Sequence, residues 1–100
     1  MAARIVLTTL GAGADAEGLA RTLVDEGLAA CVNVLPVMRS VYRWQGAVHH
    51  DDERQLVIKT TDDRLASLET RVRALHPYEL PEWLVVKAEA GAAYLAWLSA

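Results

Sequence analysis

Apolar positions change their spacing along this chain, and each spacing predicts an element. Arg4 to Leu10 is dense in β-branched and apolar residues and predicts a buried strand. After Gly11-Ala12-Gly13, Leu19 and Leu23 share one face of a predicted helix over about Asp15–Glu26, with Ala20 and Val24 beside them. Asp15 and Glu17 suit its positive end, and Gly27 suits the left-handed residue that closes it. Leu28–Leu35 is apolar with little alternation and predicts a central strand covered on both faces, interrupted by Pro36. Arg39–Val48 alternates, with Tyr42, Trp44 and Val48 on one face and Val41, Arg43 and Gln45 on the other. The polar run His49–Glu53 reads as the turn of a hairpin whose return strand is Gln55–Thr60.

Thr61-Asp62-Asp63 opens a second helix, striped by Leu65, Leu68, Val72 and Leu75. Pro77 stops it at His76, because the residue before proline avoids helical torsions. Trp83–Glu89 predicts a fourth strand, and Gly91 opens a short helix carrying Tyr94, Leu95, Trp97 and Leu98. The order β-α-β-β-α-β plus a final helix is the split βαβ pattern of an α+β, ferredoxin-like domain. Both helices then cover one face of the sheet. The hairpin arms, at about 30 Å, exceed the radius of a domain this size. The bare face and the projecting hairpin together call for an oligomer.

Composition supports this. The 100 residues make one domain, residues 1–100, and 53% of them are hydrophobic, a surplus for so small a monomer. No apolar run approaches the length of a membrane helix, and a net charge of −3 with no basic tract argues against nucleic acid. The single cysteine, Cys31, and an N-terminus without a signal-like apolar region fit the cytoplasm.

Few residues suggest chemistry. Gly11-Ala12-Gly13-Ala14-Asp15-Ala16 fits a phosphate-cradling G-x-G-x-x-A turn, but no acidic residue ends the second strand, so a flexible turn is preferred. His49-His50-Asp51-Asp52-Glu53 offers metal ligands, yet neighbours on a strand point oppositely, which favours a solvated turn. Cys31 and His76 could pair as thiolate and imidazole, but Cys31 lies in an apolar strand where thiols are inert. The most informative stretch is Leu75-His76-Pro77-Tyr78-Glu79-Leu80-Pro81-Glu82, where prolines hold a Tyr-Glu pair in a stiff linker. With Tyr42, Trp44 and Lys59 it could line a pocket or a subunit interface.

Leu28-Ala29-Ala30-Cys31-Val32-Asn33, Ser40–Gly46, Ile58-Lys59-Thr60, His76–Glu82 and Tyr94–Leu98 resemble, in order and spacing, blocks of the CutA family of divalent-cation tolerance proteins. The resemblance implies a ferredoxin-like homotrimer, a link to tolerance of divalent metals (chiefly copper), a likeness to the trimeric signalling protein PII, and no enzymatic activity. It implies no required cofactor, and copper or zinc as the metal ion to expect. It implies metal binding at His76 and a cleft between subunits around Tyr42, Trp44, Lys59, Tyr78 and Glu82. The cysteine and the histidine pair of some members are replaced by Thr8 and by Leu75 beside His76, so the soft thiolate ligand is missing here. The alternative is a PII-like signalling or scaffold trimer, with Lys59 and the glycine turn attracting a small anion or partner protein.

Overall fold

The computed structural model describes residues 1–100. The elements are β1 (Ala3–Gly11), α1 (Ala16–Asp25), β2 (Cys31–Val34), β3 (Met38–Trp44), β4 (Ala47–Thr61), α2 (Leu65–Leu75, entered through a 3₁₀ turn at Asp62–Arg64), β5 (Leu84–Lys87) and α3 (Ala92–Ser99). The strands form one antiparallel α+β sheet in the order β2-β4-β1-β5, with β3 also paired to β4.

Alternation along the two central strands separates two faces. Val6, Thr8 and Leu10 of β1 lie with Leu56 and Ile58 of β4 beneath α1 and α2, and all are buried. Leu19 and Leu23 of α1 and Leu68 and Val72 of α2 complete this core. The helix ends follow their sequence signals. Asp15 caps α1 by accepting from the Gly18 N–H at 2.9 Å. At the other end Gly27 sits at φ +72°, while its N–H reaches Val24 O and the Leu28 N–H reaches Leu23 O, the paired bonds of a Schellman closure. The Arg64 guanidinium donates to the carbonyls of Leu98, Ser99 and Ala100, tying the last turn of α3 to the start of α2.

The opposite face is bare. Ile5, Leu7 and Val57 are only half-buried, and Leu84 and Val86 of β5 are exposed. The long hairpin continues this surface outward. β4 runs for 15 residues, about 50 Å of strand, in a body measuring 44 × 24 × 24 Å.

The structure corrects three readings of the hairpin. Its turn is Gln45-Gly46, both at positive φ (50° and 81°), which closes a two-residue loop that matches strand twist. His49–Glu53 is therefore strand, not turn. In the resulting register Val48 opposes Arg43, while Tyr42 opposes His49 and Trp44 opposes Ala47, so Val48 does not share the face of the two aromatics. Finally β2 is an edge strand of four residues, not a central one; the central place belongs to β4. β2 and β3 act as one arm broken around Pro36, each pairing with its own stretch of β4.

Candidate ligand-binding groove

The linker after α2 is held across the end of the sheet by side chains at both of its ends. His76 leaves the helix in extended conformation, as the following proline requires. Its ring is buried, with Nε2 donating to Thr9 O at 2.7 Å and Nδ1 accepting from the Tyr78 N–H at 3.1 Å. Tyr78 then reaches β4, where its hydroxyl donates to Glu53 Oε2 at 2.7 Å. Further along, Gln55 Nε2 donates to Thr8 O at 2.7 Å and to Glu82 Oε2 at 2.9 Å.

Between this linker and the hairpin runs a groove of about 850 Å³ on the bare face. One wall is β3, presenting Met38, Ser40, Tyr42 and Trp44; the floor holds Thr9, Glu53 and Gln55; the other wall is Pro77–Glu82. Its lining contains the carboxyl groups of Glu53, Glu79 and Glu82 and no lysine, arginine or histidine. Both tyrosines of the groove titrate high. Burial, followed by the bond to Glu53, pushes the Tyr78 phenol well above the ordinary tyrosine range. The hydrogen bond to Asp51 raises Tyr42 as well, and the Tyr42 ring stacks on His49 with centroids 5.8 Å apart. Both phenols are thus kept as donors. Carboxylates beside aromatic rings suit the binding of positive charge.

Of the residues expected in a cleft, Tyr42, Trp44, Tyr78 and Glu82 line it together. Lys59 is on the same face but four residues beyond Gln55, about 13 Å along the strand, opposite Ile5 and Cys31, and it lies outside the groove. His76 stands behind the wall rather than in it, with both ring nitrogens engaged by the backbone; metal ligation there would require one of those bonds to break. Thr8 points into the helix-covered core, away from the groove, and its hydroxyl has no partner. Nowhere in the chain do three His, Cys, Asp or Glu side chains converge on a position for a metal ion. His49 and His50 fall on opposite faces of β4. Cys31 contacts Asn33, not His76. At the start of α1 the Asp15 carboxylate takes the helical N–H and leaves negative charge where an anion would sit.

Sequence reasoning left Glu53 in a solvated turn and passed over Gln55, both of which lie on the groove floor. Their signal was parity: both lie on the same strand face as Val57, two and four residues away.

Comparison with known proteins agrees over nearly the whole chain. The family described as "CutA1 divalent ion tolerance protein" matches residues 4–100. A divalent-cation tolerance protein CutA of Thermus thermophilus is 46% identical over 95 residues, covering 94% of this chain and 92% of the relative. The solved Thermus thermophilus structure described as a divalent cation tolerance protein superposes with a TM-score of 0.92 at 45% identity, covering 97% of this chain and 95% of the other. A Nostoc structure described as a PII-like protein CutA in apo form superposes with a TM-score of 0.89 at 34% identity, over 96% of this chain and 93% of the other.

Proposed function

The chain belongs to the CutA1 divalent ion tolerance family, and from that premise we propose that it serves the response to divalent cations as a homotrimer of ferredoxin-like subunits, by binding rather than by catalysis. The groove is its ligand surface. The observation that carries this reading is the groove's charge: three carboxyl groups, aromatic walls and no basic residue, on the face that the chain's own helices leave bare. Copper or zinc are the ions to try first, and a bound metal would complete its ligand set from neighbouring subunits, since no three ligands converge within one chain. The single cysteine is consistent with a reducing compartment, and we place the protein in the cytoplasm. No helix is long and apolar enough to cross a membrane.

Isothermal titration of the assembled protein with Cu(II) and Zn(II) tests the reading. Saturable binding that weakens in Glu53→Gln is expected; binding that the substitution leaves unchanged contradicts the groove as the metal site.

A second reading, a PII-like signalling or scaffold trimer, is favoured by the likeness to the Nostoc protein described as PII-like. Its anion-binding form sits poorly with the site, because Lys59 lies outside an acidic groove. Its protein-binding form would use the same bare surface, and capture of a defined partner by the intact trimer but not by a Trp44→Ala variant would support it.

A further inference from the structure

The groove's walls discriminate between kinds of cation. Glu53 is only 7% exposed, yet it has no cationic partner: the ion pairs of the chain are Arg39–Asp52, Arg71–Glu26 and Arg73–Glu69. One of its oxygens accepts from Tyr78, the carboxylate accepts no other bond from within the chain, and the residue lines the groove. A carboxylate with so little access to water and no positive neighbour is a natural partner for a ligand cation. A bare divalent ion is a poor candidate, because it needs several oxygen, nitrogen or sulfur ligands and no three converge. The walls instead carry Trp44, Tyr42, Tyr78 and Met38. Aromatic faces attract weakly hydrated organic cations, and a guanidinium both stacks on such faces and presents N–H donors to a carboxylate. A volume of about 850 Å³ suits a small organic molecule.

We propose that the groove is a binding site for a small organic cation of the alkylguanidinium or alkylammonium class, with a charged end at Glu53 and its chain laid along β3 toward the aromatic rings of Tyr42 and Trp44, which stand four and six residues from the position opposite Glu53. This rests on the groove being the ligand surface, and it names the ligand class. Divalent ions would then act at this site only as competitors or through ligands added by a neighbouring subunit.

Agmatine, a guanidinium and an ammonium on a four-carbon chain, is the probe. Titrated into the assembled protein, it binds saturably, one per chain. Trp44→Leu weakens it roughly tenfold by removing the best aromatic face, Glu53→Gln weakens it at least as much, and a neutral urea analogue of the same length does not bind. Light scattering checks that each variant keeps its assembly; should Glu53→Gln fail to assemble, Trp44→Leu and the neutral analogue still decide the matter. Affinity unchanged by Trp44→Leu, or equal binding of the neutral analogue, overturns the proposal. Cu(II) and Zn(II) are titrated alone into the same preparation. Metal binding without agmatine binding overturns the organic-cation assignment alone, whereas absence of both in an intact assembly overturns the groove as the ligand site.

Discussion

Leu56 and Val57 are neighbours on β4, yet they live in different environments. Leu56 is fully buried under α1 and α2 with Val6, Leu10 and Ile58, while Val57 lies half-buried on a face shared with Ile5, Leu7, Leu84 and Val86. Both faces are apolar. Only one has a cover within the chain. A single-subunit core needs one apolar face per strand, and the proposed association would give the second face its cover. The groove belongs to that second face, so under the proposed function one surface would serve both the contact between copies and the ligand.

The contrast can be broken one residue at a time. Leu56→Ala opens a cavity in a closed core and should cost about 3 kcal/mol of unfolding free energy, read by chemical denaturation. Val57→Asp puts a charge where neighbouring copies would meet. It should raise the dissociation constant of the assembly roughly a hundredfold, of the order measured when a buried contact gains an unpaired charge. Sedimentation should then show smaller species with the circular dichroism of the parent. Unfolding at Val57→Asp as severe as at Leu56→Ala would mean the two faces are not distinct.

Tyr78→Phe tests the link between the linker and the bare face. It removes the bond to Glu53 and should cost about 1.5 kcal/mol, the usual worth of a charge-assisted hydrogen bond. The same bond predicts a pH effect. The folded-state phenol titrates above its ordinary value of 10.0, so above that pH the unfolded chain loses a proton that folded Tyr78 keeps. Stability should therefore be full below pH 10 and fall as the pH rises toward the folded-state value, and Tyr78→Phe should flatten the fall. The smallest effect belongs to the hairpin tip. Gln45→Asn supplies the residue that tolerates positive φ in a two-residue turn and should stabilise by about 0.5 kcal/mol, whereas Gly46→Ala, at φ +81° in open space, should cost about 1 kcal/mol.

Much of the fold was legible because burial writes itself into spacing. The stripe Leu65, Leu68, Val72 and Leu75 and the breaks at Gly27 and Pro77 placed α1 and α2 closely. The hairpin was misread because its outer half is exposed on both faces and has no apolar rhythm to obey. There strand structure is held by cross-strand pairs such as Arg39 with Asp52 and Tyr42 with Asp51, whose polar residues look like a turn in sequence. Gly46 was the signal that went unused. Edge and centre were exchanged for a related reason: apolar Leu28–Leu35 feeds the core mainly through Leu28, Ala29 and Val32, so its run of apolar residues does not mean two covered faces. Of the groove lining, Tyr42, Trp44, Tyr78 and Glu82 were legible as a group, but Glu53 lay inside the segment that reads as a turn. The backbone bonds of His76 were not legible, because its ring nitrogens find those partners only in three dimensions.

The proposed trimer requires that further copies of this chain cover the sheet face that the helices leave bare. Sedimentation velocity of the purified protein at micromolar concentration tests it most directly. A single species of three times 10.9 kDa is expected, whereas a monomer of 10.9 kDa would mean that no other copy covers the face.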